Sequence, residues 1–195
     1  MSDASNTRQR LVSAAEQLFR VQGYSGTGLK QLTAEAEAPW GSLYHFFPGG
    51  KAGLGAEATR YAGEIYAEGW RRAFERGETA GEAVDRVFRA EVKILESSNY
   101  RNGCPIASTT LDVASVDEGL RLACDAAFGL WIETIARGLE AHGAPPQASR
   151  PLAMFIVSTL EGAIVLARAA KDPAPLVESG RFLRDAVDRA AEDWA

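Results

Sequence analysis

An all-α fold follows from three properties of the sequence. Apolar residues recur at helical spacing over most of its length, helix-capping and helix-stopping residues punctuate that pattern, and no run of period-two alternation among β-branched residues marks a strand. With 195 residues, 46% of them hydrophobic, the chain is long enough to bury a real core in one or two compact domains.

The first helix is expected after the capping residues Asn6 and Thr7, with Leu11, Ala15, Leu18 and Phe19 on one face and Gly23 as its stop. Gly26-Thr27-Gly28 breaks the chain before a short helix over Leu29 to Ala36. A second short helix starts near Pro39, a favoured first helical residue, and ends by Pro48-Gly49-Gly50. Two short helices joined by a tight link and packed on a longer one make a three-helix helix-turn-helix arrangement.

From Lys51 a long helix runs to Arg76, with Leu54, Ala58, Tyr61 and Ile65 as its stripe. Thr79 and Glu82 read as a capping box opening a helix whose stripe is Val84, Val87, Phe88, Glu91 and Leu95, in which Glu91 is the odd member. A short helix is expected from Pro105 to Ala114. Asp117 caps a long one carrying Leu120, Cys124, Phe128, Trp131, Ile135 and Leu139, which ends at His142-Gly143. Ser149 is expected to cap an apolar helix ending near Lys171, and a last helix runs from Pro175 to Glu192. The reading is thus an N-terminal helix-turn-helix followed by a C-terminal helical bundle, roughly nine helices in all.

Several function classes are disfavoured. Only His45 and His142 are available as imidazoles, and no nucleophile motif, metal spacing or glycine-rich phosphate loop accompanies them, so no enzyme, cofactor or metal site is expected. Cys104 and Cys124 have no Cys or His close in sequence to complete a ligand set and read as small buried thiols. The longest apolar stretch, 151–170, holds Glu161 in its middle and Arg168 near its end, and is expected to be a buried helix instead of a membrane span. Met1-Ser2-Asp3-Ala4 has neither the basic nor the apolar region of a secretory signal, so a cytoplasmic location is expected.

Charge is unevenly spread. Residues 1–51 carry Arg8, Arg10, Arg20, Lys30 and Lys51 against Asp3, Glu16, Glu35 and Glu37, net +1, whereas the rest is net -6 within a total of -5. That suits an acidic body with a small, mildly basic head.

The informative segment is Thr27-Gly28-Leu29-Lys30-Gln31-Leu32-Thr33-Ala34-Glu35-Ala36, followed by Ala38-Pro39-Trp40-Gly41-Ser42-Leu43-Tyr44-His45-Phe46-Phe47 and Lys51. Gly41 lets a helix backbone come close to a groove wall, and Leu43 and Phe47, four apart, anchor that helix inward. Ser42, Tyr44 and His45 are left outward, with hydroxyl and imidazole groups suited to phosphates and base edges. This segment resembles the DNA-binding signature of the TetR/AcrR family, in which a Gly-x-Leu-Tyr-x-x-Phe recognition helix follows the turn and a Lys opens the next helix. Ala38-Pro39 through Lys51 and the later Gly103-Cys104-Pro105-Ile106-Ala107 are similar to the LmrA/YxaF-like branch of that family. Two positions depart from the common pattern: Glu37 replaces a turn glycine, and Trp40 stands where a Lys or Arg is common.

The resemblance implies a DNA-binding domain over 1–50 and a ligand-sensing and dimerisation domain over 51–195, acting as a repressor. Double-stranded operator DNA is the expected partner, contacted through Thr27, Gly28, Trp40, Gly41, Ser42, Tyr44, His45 and Lys51. It also implies a homodimer formed by the last two helices and a small apolar or aromatic effector. Trp70, Phe88, Cys104, Phe128, Trp131 and Phe155 are the candidate ligand contacts, with Phe74 and Met154 as further apolar material.

Overall fold

The computed structural model describes residues 3–194, with side chains from residue 6. Among them are nine helices and no strand: α1 (Asp3–Gln22), α2 (Leu29–Glu35), α3 (Trp40–Phe46), α4 (Gly50–Arg76), α5 (Ala80–Ser97), α6 (Pro105–Val113), α7 (Glu118–Ala141), α8 (Pro146–Ala170) and α9 (Ala174–Ala191). The chain forms two compact units. The first takes residues 1–64 with 104–128, and the second takes 65–103 with 129–195, so the division falls inside α4 and α7. The first unit therefore reaches beyond the expected boundary at residue 50 and includes α6.

The ends of the helices follow the capping chemistry of the sequence in most places. Gly23 closes α1 at φ 78° and Gly143 follows α7 at φ 98°, conformations that cost glycine little. Thr79 Oγ1 accepts from Glu82 N at 3.0 Å, but the Glu82 carboxylate accepts from Glu78 N at 2.8 Å, one residue earlier than a reciprocal box requires. Asp117 caps α7 through Leu120 N at 3.0 Å. Ser149 does not cap α8. The helix opens four residues earlier, on Pro145 as N-cap and Pro146 as first residue, because Pro146 has no N–H to leave unsatisfied. Ser149 is buried in the first turn and donates to Glu140 Oε1 at 2.7 Å.

The core of the first unit is built from Leu11, Ala15 and Phe19 of α1, Leu32 of α2, Leu43 of α3, Phe47, and Leu54 and Ala58 of α4. Two polar ties hold α6 in the same unit. Asp112 Oδ2 accepts from Ser25 N at 2.8 Å, and Ser108 Oγ donates to the Phe19 carbonyl at 2.9 Å.

In the second unit α5 packs against both α9 and α8. The α5–α9 approach is close enough to exclude a methyl group. A Cβ on Gly81 would lie 2.4 Å from the Arg184 carbonyl oxygen and 2.5 Å from Asp188 Oδ1, and one on Gly180 would lie 2.8 Å from Phe88 Cβ. Since the Arg184 obstacle is backbone, Gly81→Ala is expected to force the two helices apart and cost about 1–3 kcal/mol. A lowered thermal midpoint checks this; an unchanged one would show that the pair is not close-packed.

α8 is long and apolar enough to cross a membrane by length and composition. The sequence predicts a buried helix, and the structure buries one stripe of it. Ala153, Ile156, Leu160, Ala163 and Ala167 form its buried stripe at helical spacing, while Met154, Phe155, Val165 and Leu166 are each more than half exposed.

Candidate nucleic-acid interface

The helices α2 and α3 are joined by a tight turn. Glu37 N donates to the Ala34 carbonyl at 3.1 Å and Ala38 N to the Thr33 carbonyl at 2.9 Å. That pair is a Schellman motif, in which the residue after the C-cap sits in the left-handed region and is usually glycine. Here it is Glu37 at φ 46°. A side chain in that conformation costs about 1–2 kcal/mol, so the glycine missing from the sequence motif is replaced by a strained glutamate in the same geometry.

Pro39, at φ -56°, then opens α3. Leu43 and Phe47 point into the core, at 1% and 5% exposure. Phe46 is half-buried against the same core, and the outward side carries Trp40, Gly41, Tyr44 and His45. Trp40 and Tyr44 are each 49% exposed and meet edge to face at 6.3 Å, and His45 lies beside Phe46 at 4.9 Å. Gly41 is exposed, and a Cβ built there meets nothing within 4 Å. The glycine is thus not demanded by packing inside the chain. Ser42 and His45 border a surface depression shared with Thr7, Arg10 and Pro39.

A family model described as "Bacterial regulatory proteins, tetR family" matches residues 11–58, and one described as "Transcriptional regulator LmrA/YxaF-like, C-terminal domain" matches residues 80–181. The chain is 36% identical to the HTH-type transcriptional regulator Rv0196 of Mycobacterium tuberculosis, over 91% of this chain and 92% of that one. It is 32% identical to the HTH-type transcriptional regulator YxaF of Bacillus subtilis, over 91% and 93%. The chain belongs to the TetR family. A solved TetR transcriptional regulator from Legionella pneumophila shares the fold, with a TM-score of 0.80 at 23% identity over 95% of this chain and 98% of the other. These TetR-family relatives are named as transcriptional regulators, not enzymes.

The expected DNA contacts of this TetR-family chain divide into three groups. Trp40, Gly41, Ser42, Tyr44 and His45 share α3, with Ser42 half-buried and the others exposed, and Gly28 is exposed at the N-cap of α2. Thr27 departs from the expectation. It is 1% exposed, and its hydroxyl donates to the Gly23 carbonyl at 2.7 Å, so it shapes the approach to α2 and has no free hydroxyl to offer a phosphate. Lys51 is half-buried, with Nζ 4.3 Å from the centre of the Tyr24 ring. Desolvation lowers its pKa, partly offset by the charge of Asp112.

Sequence reasoning passed over two basic residues of the head. Arg10 lies against the α2–α3 turn, with Nε 2.9 Å from the Ala36 carbonyl, and Lys30 is exposed on α2. The other arginines of the head are engaged internally: Arg20 with Glu16 at 2.5 Å and Arg8 with Glu57 at 2.9 Å.

The six candidate ligand contacts do not fall in one unit. Cys104 and Phe128 belong to the first, and Trp70, Phe88, Trp131 and Phe155 to the second. Trp70, Phe88 and Trp131 are sealed in the core at 1% exposure or less, and Tyr66 packs on Trp131 at 4.9 Å. Phe155 is 60% exposed and lies off the buried stripe of α8. Cys104 is the N-cap of α6, its Sγ accepting from Ala107 N at 3.4 Å. Burial raises the pKa of the Cys124 thiol.

The second unit carries a partly open cavity of 410 Å³ between α4 and α7. Phe74, Leu130, Gly138 and His142 supply part of its lining, and Arg71, Glu133 and Arg137 border it. His142 Nδ1 donates to the Gly138 carbonyl at 2.9 Å, and its ring lies 5.7 Å from that of Phe74.

Proposed function

We propose that the chain is a ligand-responsive repressor that binds a palindromic operator as a homodimer and is released by a small apolar or aromatic effector. The observation that carries this reading is the outward face of α3, where Trp40, Gly41, Tyr44 and His45 stay exposed while Leu43 and Phe47 fix the helix to the core. Such a face suits base edges and backbone in a major groove, and one head of this size covers only a half-site. Two heads related by a dyad match a palindrome, and the apolar exposed side of α8 supports the pairing. Repression is the mode the family resemblance implies. A role at operator DNA supports a cytoplasmic location, without a membrane partner.

A mobility-shift titration with the DNA upstream of its own gene tests the first half, read together with the mass of the complex. Two chains per half-site pair are expected; a tightly bound single chain would overturn the dimer. Within the reading face, Tyr44→Ala and Lys51→Ala are expected to weaken binding while leaving the fold intact, and loss of Lys51 should reduce the salt slope by about one unit. Unchanged affinity in both variants would remove these residues from the interface.

The sensing half rests on the partly open cavity beside Phe74, whose ring lies 6.4 Å from that of Trp70. Linkage between two sites is typically worth about 1–3 kcal/mol, which would loosen DNA by about 5- to 150-fold. An aromatic effector is therefore expected to quench tryptophan fluorescence and release operator over one concentration range. A broad panel of aromatic and apolar compounds that does neither would end the sensing proposal.

A further inference from the structure

We propose that Arg10 is a positioning residue for the recognition helix, a clamp across the α2–α3 turn that makes a non-glycine residue workable there. The turn holds Glu37 in the left-handed region, and the carbonyls of Ala36, the C-cap of α2, and of Glu37 follow the last residue of that helix, where no later helical N–H is available to them. Arg10 reaches them from α1. Its Nε donates to the Ala36 carbonyl at 2.9 Å, and Nη2 donates to the Glu37 carbonyl at 3.4 Å and to Thr7 Oγ1 at 3.2 Å. A guanidinium suits this task because its planar fork addresses several acceptors at once and its charge matches the negative end of a helix.

Only Ala38 and Pro39 separate Glu37 from Trp40, so the φ of Glu37 sets the direction in which α3 leaves the turn. Without the clamp, the side chain at 37 gains by relaxing towards negative φ, and α3 swings with it. With glycine at 37 the left-handed turn needs no clamp. The importance of Arg10 is thus conditional on the residue at 37.

The inference rests on the operator-binding reading of α3, and the test separates the two. In the full-length chain, Arg10→Ala is expected to weaken operator binding about tenfold, equivalent to about 1.4 kcal/mol, with the salt slope unchanged. Arg10→Ala with Glu37→Gly should regain most of that loss. Arg10→Ala with Glu37→Gln should not, because it removes the charge and keeps the β-carbon. Arg10→Lys should fall between wild type and Arg10→Ala, and it serves as the test variant if the alanine protein does not fold.

A readout without DNA is amide exchange at Glu37 and Ala38, whose N–H groups close the turn. Arg10→Ala should speed it about tenfold, and adding Glu37→Gly should restore it. Unaltered exchange in Arg10→Ala overturns the clamp. So does an affinity loss that Glu37→Gly does not repair and that comes with a salt slope lower by about one, since Arg10 would then be a direct phosphate contact. If wild type binds no operator, the reading of α3 fails, and the exchange cycle still decides the clamp.

Discussion

Leu166→Glu is expected to convert the proposed dimer to a monomer and to lower operator affinity by about 10²-fold or more. Leu166 is 62% exposed on α8, on the same side of the helix as Met154, Phe155 and Val165. Burying a leucine or phenylalanine is worth about 1.5–3 kcal/mol, and a two-fold axis counts each contribution twice. A carboxylate at 166 would instead be buried in the apolar seam proposed for the dimer. Affinity falls steeply because the second head of a dimer binds at a high effective concentration, a gain of about 10²–10⁴ that the monomer loses. The fold should survive, since the stripe of α8 that packs within the chain is untouched. Sedimentation and circular dichroism, run beside the binding assay, check all three points. A Leu166→Glu protein that remains a dimer with wild-type affinity would locate the interface elsewhere.

Gly41→Leu should bring operator binding down towards the level of unrelated DNA, a fall of about 10³-fold or more, with no loss of stability. The position is exposed, and nothing lies within 4 Å of a Cβ there, so leucine meets no clash inside the protein. Replacing glycine by a good helix former in an exposed helix gains up to about 1 kcal/mol. A thermal midpoint that is unchanged or raised, together with lost binding, would show that Gly41 is kept for its approach to DNA. A variant that binds normally would mean that α3 presents another face to the groove.

The helical framework was legible because it is written in local chemistry. Gly23, Thr79, Asp117 and Gly143 each act at or within a few residues of their own positions, and the Leu43–Phe47 pair is set by helix geometry alone. What failed depends on partners distant in sequence or on competition between signals. Ser149 looked like a cap, but Pro146 claims the helix start first. Thr27 looked available to a phosphate until the Gly23 carbonyl took its hydroxyl. Phe155 is expected at a ligand pocket and lies instead on the exposed side of α8, because periodicity cannot say which side of a strongly apolar helix meets the chain's own core. Arg10 read as one of five basic residues in the head. Its bonds to Ala36 and Glu37 join positions 26 and 27 residues apart, and no local pattern signals them.

Head grafting between family members is constrained by the polar ties from α6. The N-terminal family model ends at residue 58 and the C-terminal one begins at residue 80, so a chimera joined between them would follow the sequence boundary. It would also sever the pairs Asp112–Ser25 and Ser108–Phe19, because α6 is compact with the reading helices although it lies within the C-terminal match. Transplants carrying residues 1–64 alone are expected to fold poorly or to read weakly. Those that also carry 104–128 keep both ties and should bring the donor's operator preference with them.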